Sequence, residues 1–267
     1  TRSVSAFLLN RSSDLCHCTG AEVPGRADVM ADWWRGGARA RRRAAARLPP
    51  GGVRSYLETA PPGCSTPVDQ LPLLAVDVET TGLDPRRDRV LAVGYVPVDG
   101  DRIVLGGAGS VVVRSGVDEV DDGVGQSATV HGITDDDVAE GVSVEQTLDL
   151  LFDALAGRVL LAHYSRIEVD FLGALCRRRH GVRPPLTAVD TLGLQRRLTG
   201  RAIDMDFTAD LHPEDLRLWG ARTRYGLPRY RAHDALVDAV ACAELYLAQL
   251  PELRQRGART LRDLHTA

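Results

Sequence analysis

Asp77 and Glu79 interrupt an apolar run, Leu73-Leu74-Ala75-Val76-Asp77-Val78-Glu79, which is aliphatic, rich in β-branched residues and reads as a buried strand. Side chains alternate along a strand, so carboxylates two residues apart share one face. Two like charges side by side in a core strand call for a positive partner. A divalent cation bound by oxygen ligands supplies one; the plainer alternative is a strand end carrying two solvated acids. Thr80, Thr81 and Gly82 follow as a turn that lets backbone come close to a ligand.

Two other places carry polar residues where packing alone does not want them. His163-Tyr164-Ser165-Arg166-Ile167-Glu168-Val169-Asp170-Phe171-Leu172 leaves a short apolar strand and opens a helix. Arg231-Ala232-His233-Asp234-Ala235-Leu236-Val237-Asp238-Ala239 precedes and enters the last long helix. Either stretch alone is compatible with a structural histidine at a helix start.

The elements that must hold these residues follow from periodicity. After the acidic strand, Arg89 to Val98 reads as a second strand. Arg102 to Arg114 reads as a third, interrupted by a bulge at Gly106-Gly107. Short turns between them imply an antiparallel meander. Ser143-x-x-Gln146 has capping-box form and opens a helix whose stripe is Leu148, Leu151, Phe152 and Leu155. Val159 to Ala162 and Thr187 to Asp190 read as short strands. Ile167 to Arg179, Leu192 to Leu198, Asp215 to Tyr225 and Ala235 to Leu250 read as helices. A meander followed by strands alternating with helices predicts an α/β fold, a mixed sheet with helices on its faces.

Composition sets outer limits. The 267 residues suit one sizeable core with appendages. The net charge of −3 does not mark a general polyanion binder, so any nucleic-acid surface must be local. No apolar run approaches the length of a membrane span, and the five scattered cysteines fit a reducing, cytoplasmic setting better than a disulfide framework. Cys16-His17-Cys18 lacks the second ligand pair of a zinc site. All basic residues are arginines, and several crowd residues 31–59 behind Trp33-Trp34, an alanine-rich helical arm that is either solvated or laid on nucleic acid. The expected organisation is residues 1–30 as a disordered or upstream extension, with Met30 a candidate start. Residues 31–72 form an arm and Pro-rich linker, 73–250 the main domain, and 251–267 a tail.

The ordered motifs carry a resemblance. Asp-x-Glu-Thr-Thr-Gly-Leu at Asp77–Leu83, Ala-His before an acid and Phe-Leu at Ala162–Leu172, and His-Asp-Ala-Leu-x-Asp-Ala at His233–Ala239 resemble the DEDD exonuclease superfamily, histidine subtype. The segment His131-Gly132-Ile133-Thr134 matches as well, and the chain is similar to bacterial polymerase III epsilon proofreading subunits over about Leu73 to Leu250. The resemblance implies a ribonuclease H-like fold and metal-dependent removal of nucleotides from the 3′ end of DNA, with two Mg²⁺ or Mn²⁺ ions. It assigns Asp77, Glu79, Glu168 and Asp238 as metal ligands and His233 as general base. Thr80, Thr81, Gly82, Leu83, His131 and His163 become substrate contacts. A polymerase subunit is an implied partner, and a membrane is not.

The middle motif departs from the family pattern, Ala-His-Asn-x-x-Phe-Asp-x-x-Phe. Here Tyr164 stands for the asparagine, Ile167 for the phenylalanine and Glu168 for the aspartate, with Asp170 a rival ligand. Residues two apart on a helix point about 200° from one another, so only one of the two acids can serve the site. Glu168 keeps the spacing to His163 and Phe171, but its carboxylate reaches roughly 1.5 Å further than aspartate would. Asp190-Thr191 reads as a helix cap, and Arg177, Arg178 and Arg179 as a solvated helix end. RNA trimming, or binding without catalysis, remain alternatives to DNA hydrolysis.

Overall fold

A computed structural model describes residues 37–114, 132–200 and 213–265. His131, Trp33-Trp34, Met30 and Cys16-His17-Cys18 lie outside the described residues. The sheet has seven strands: β1 (Pro72–Thr80), β2 (Val90–Asp99), β3 (Arg102–Ile103), β4 (Gly109–Arg114), β5 (Val142–Ser143), β6 (Val159–Ala162) and β7 (Ala188–Asp190). Its order is β5-β4-β2-β1-β6-β7, with β3 pairing β2. β1 runs antiparallel to β2 and parallel to β6, and β6 runs parallel to β7. This is the expected mixed sheet, and the acidic strand lies near its middle.

The third expected strand is split. Val104 N–H bonds to Pro97 O at 2.8 Å, and Leu105–Gly107 form a turn of 3₁₀ helix between β3 and β4. A β-carbon on Gly107 would lie 2.8 Å from Pro97 Cγ, so the chain passes Pro97 too closely for a simple bulge.

Alternation along β1 assigns its faces. Leu74, Val76 and Val78 join a core with α3 (Val144–Leu155) and α4 (Arg166–His180). Leu73 and Ala75 join the opposite core, with α5 (Thr191–Leu198) and α7 (Ala235–Gln255). Asp77 and Glu79 continue the second set and therefore face α7. The short α2 (Asp135–Ala139) precedes β5, and Ser143 caps α3 as its sequence predicts, accepting from Gln146 N at 3.3 Å. The expected helix Asp215–Tyr225 divides into a 3₁₀ turn at Pro213–Leu216 and α6 (Leu218–Arg224). α7 runs on through Pro251, five residues past its expected end at Leu250.

Neither boundary expected at residues 72 and 250 separates packing units among the described residues. The helical stretch 37–45, the turn after it and α1 (Gly52–Glu58) bury Ala45, Leu48, Val53, Tyr56 and Leu57 in the α3/α4 core. Gly51 and Gly52 let α1 close onto α3, where Gly52 N–H bonds to Asp149 Oδ1 at 2.7 Å. Arg41 is not a polyanion contact: it is 6% exposed, stacks on the Tyr56 ring at 4.7 Å and donates to the carbonyls of Tyr56 and Thr59. At the other end, Leu253, Ala258, Leu261 and Leu264 are fully buried in the α7 core. The short α8 (Leu261–Leu264) lies beside a bridge from Thr260 to Pro67.

Candidate active site

The carboxylates gather where the parallel strands end. Asp77 and Glu79 come from β1, Glu168 from the first turn of α4 behind β6, and Asp238 from the first turn of α7. Glu79, Glu168 and Asp238 are 8%, 3% and 8% exposed, values that ionised acids reach only with partners. Burial first, then the repulsion of Glu168, Asp238, Glu79 and Asp234, pushes the Asp77 carboxyl well above the usual range. Burial raises Glu79 to about 7, with Asp238 and Asp234 adding to it. Burial raises Glu168 to about 8, and Asp238 to about 6 against the opposing help of the His233 amide. One oxygen each of Glu79, Glu168 and Asp238 is buried without a hydrogen-bond partner. Glu79, Asp238 and His233 offer ligand atoms within 4.8 Å of one another, and carboxylate oxygens are hard ligands that fit a small divalent cation.

The choice between Glu168 and Asp170 has a structural basis. Asp170 turns outward, accepts from Arg183 Nη2 at 2.7 Å and pairs with Arg166 at 3.5 Å. Glu168 is the acid whose charge weighs most on Asp77. The structure therefore brings Glu168, and not Asp170, to the carboxylate cluster.

α7 reaches the sheet because of Gly94. This residue pairs with Asp77 across the β1–β2 ladder, and a β-carbon there would lie 2.1 Å from the carbonyl carbon of Ala235. Nothing in the sequence alone marks Gly94 as part of the site. A glycine inside a strand signals close backbone approach, but not what approaches.

His233 precedes α7 with φ 65°, an uncommon conformation for a residue with a β-carbon. Its N–H donates to Asp238 Oδ2 at 3.0 Å, and a ring nitrogen lies within 4.8 Å of ligand oxygens of both Glu79 and Asp238. Partial burial lowers its pKa, so the ring is neutral near pH 7. His233 also lines a cleft of about 790 Å³, whose walls include Trp219, Arg224, Arg229 and Tyr230.

The turn after β1 is built around Asp88. Asp88 accepts from Asp84 N–H at 2.7 Å and from the Thr81 hydroxyl at 3.4 Å, and a β-carbon on Gly82 would lie 2.5 Å from its carboxylate. Thr80 Oγ1 donates to Gly82 O at 2.6 Å. Leu83 is held out at the tip, 45% exposed, and Arg178 ties the far side of the turn by donating to Pro85 O at 2.9 Å. Arg179 pairs with Glu145, so this helix end is less free than its sequence suggests.

His163 differs from its expected role. Its Nδ1 bonds with Thr191 Oγ1 and its Nε2 with Leu216 O, each at 2.9 Å, and burial drives its pKa down to about 4. With both ring nitrogens engaged inside the protein, the residue has no nitrogen left for a substrate. Asp190 caps α5 as expected, accepting from Leu192 N at 2.9 Å. It also accepts from Tyr164 N at 2.9 Å, and Tyr164 holds φ 70°. That conformation explains an asparagine at this place in the resembling pattern, because asparagine tolerates it better than tyrosine.

A mixed sheet with helices on both faces and acids at the carboxyl ends of its parallel strands defines the ribonuclease H-like nuclease class. Residues 74–246 match the exonuclease family of the ribonuclease T type, and the chain belongs to that family. A DNA polymerase III subunit epsilon-like protein of Rhodobacter capsulatus is 30% identical over 199 residues, 73% of this chain but 26% of that protein. The DNA polymerase III subunit epsilon of Treponema pallidum is 25% identical over 66% of this chain and 75% of its own length. Escherichia coli exonuclease I in complex with a dT13 oligonucleotide superposes with a TM-score of 0.55 at 20% identity, covering 70% of this chain and 42% of that one. The chain thus spans about a quarter of the Rhodobacter relative and under half of exonuclease I.

Proposed function

We propose that the protein is a metal-dependent 3′–5′ exonuclease that releases nucleoside monophosphates from single-stranded or frayed DNA ends. The observation that carries this is Glu79, Asp238 and a neutral His233 with ligand atoms within 4.8 Å of one another, beside Asp77, on which the charges of Glu168, Asp238 and Glu79 all act. Asp77, Glu79, Glu168 and Asp238 would hold two Mg²⁺ or Mn²⁺ ions. Bound there, such ions supply Lewis acidity, neutralising charge on the phosphodiester and on the departing oxygen. His233 takes the proton of the attacking water, and its Asp238-bonded amide keeps the ring at the cluster. The Thr80–Leu83 turn meets the terminal nucleotide, with exposed Leu83 against its base or sugar. Arg224 and Arg229, which form no salt bridge with a described residue, offset the repulsion between acid cluster and polyanion.

The dT13 complex of exonuclease I supports single-stranded DNA as substrate, and the epsilon-like relatives support a polymerase subunit as partner. Among the described residues no helix is long and apolar enough to cross a membrane, and a cytoplasmic site of action fits the polymerase reading. Matched DNA and RNA oligomers with identical 3′ ends test the substrate. Faster shortening of DNA supports the proposal, and preference for RNA moves the function to RNA trimming. Tight binding of either without turnover identifies a binding module.

A further inference from the structure

Arg222 is 1% exposed, on α6. Burying a guanidinium costs several kcal/mol unless its donors are well matched. Here Nη1 donates to Ala241 O on α7 at 2.7 Å, and Nη2 donates to Pro228 O at 2.8 Å and pairs with Glu244 Oε2 at 2.7 Å, while Nε is buried without a hydrogen-bond partner. The guanidinium carbon lies 5.2 Å from the Trp219 ring centre and 5.0 Å from that of Tyr230. Those rings meet edge to face at 6.1 Å, and Tyr230 OH donates to Glu244 Oε1 at 2.9 Å. One buried cation therefore joins α6, α7 and two points, Pro228 and Tyr230, of the loop between them.

That loop has no regular structure and carries His233 in its left-handed conformation. Such a conformation persists only where surrounding contacts over-determine it. The Asp238 carboxylate fixes the loop at its far end, through the His233 amide. We propose that Arg222 is a positioning residue for His233. With Glu244 and Tyr230 it clamps the loop so that the imidazole stands at the carboxylate cluster before substrate arrives. The inference deepens the nuclease reading and rests on His233 acting as its base.

The test uses the full chain carrying Arg222→Met, Arg222→Lys and the milder Tyr230→Phe, each also combined with His233→Ala. In the parent, Arg222→Met is expected to lower kcat on a single-stranded DNA oligomer about 10- to 100-fold, with KM within about two-fold. Tyr230→Phe lowers it less, and Arg222→Lys recovers part of the loss. In the His233→Ala background the same changes have almost no further effect, because the residue they serve is gone. Equal losses in both backgrounds overturn the proposal, and if Arg222→Met does not fold, Tyr230→Phe decides. Tryptic cleavage after Arg229 and Arg231 reads the clamp without activity. Faster cutting in the folded variants supports it, and unchanged cutting overturns it. An inactive parent would count against the nuclease reading alone.

Discussion

Asp77 and Gly94 are partners across the β1–β2 ladder, and the missing side chain of Gly94 is what lets Ala235 and Leu236 settle on the sheet beside that aspartate. The distance from Asp77 to Asp238 on α7 is thus set by a residue with no chemistry of its own. Gly94→Ala places a methyl group against backbone, which cannot rotate away. We expect a loss of about 1–3 kcal/mol of stability. Mn²⁺ affinity should fall with it, because Asp238 is displaced. A variant with parental melting temperature and metal affinity would show that this contact does not position the helix.

Glu168 and Asp170 should separate cleanly. Glu168→Gln removes a carboxylate that would bind metal and should reduce metal-dependent cleavage by about a thousand-fold or more. Asp170→Asn breaks only partly exposed pairs with Arg166 and Arg183 and should cost at most about 1 kcal/mol, with activity near parental. Loss of cleavage with the second change and not the first would reverse the assignment.

The raised carboxyls give the metal-free protein a pH dependence of definite sign. Their folded pKa values, about 6 to 8 for Asp238, Glu79 and Glu168, exceed the ordinary values of 3.8 and 4.5. The folded state therefore binds more protons, and the stability these groups contribute is complete below the ordinary values and lost as pH rises through 6 to 8. Metal competes with those protons. The rise in melting temperature on adding Mn²⁺ to EDTA-stripped protein should be larger at pH 8.5 than at pH 6, with proton release in titrations near pH 7. A pH-independent rise without proton release would contradict the clustered acids.

The segment before β1 should behave as core. Deleting residues 1–59 removes Val53, Tyr56 and Leu57, each buried and each contributing about 1.5–3 kcal/mol. The melting temperature should drop by about 10 °C or more. An unchanged melting temperature would restore the reading of a detachable arm.

The sequence was most legible where a short-range rule is enough. An apolar, β-branched run identified β1, alternation put Asp77 and Glu79 on one face, Ser143 announced the start of α3, and motif order gathered the acids. It was least legible where the outcome depends on a distant partner. Arg41 reads as one solvated arginine among several until the Tyr56 ring and the carbonyls of Tyr56 and Thr59 surround it. His163 reads as a substrate contact until Thr191 and Leu216 occupy both of its nitrogens. The residues after Leu250 look like a tail because their apolar positions are few. Yet Leu253, Leu261 and Leu264 each fill a place that another element leaves open.

The central claim is that the cluster around Asp77 hydrolyses DNA from its 3′ end. It is tested most directly with a single-stranded oligomer labelled at its 5′ end, incubated with Mn²⁺ or Mg²⁺, alongside EDTA controls and Asp77→Asn. The expected result is a ladder shortening one nucleotide at a time from the 3′ end, release of nucleoside 5′-monophosphates, and no products with EDTA or the variant. An intact oligomer under conditions where a control exonuclease works, or cleavage that persists in Asp77→Asn, would contradict it.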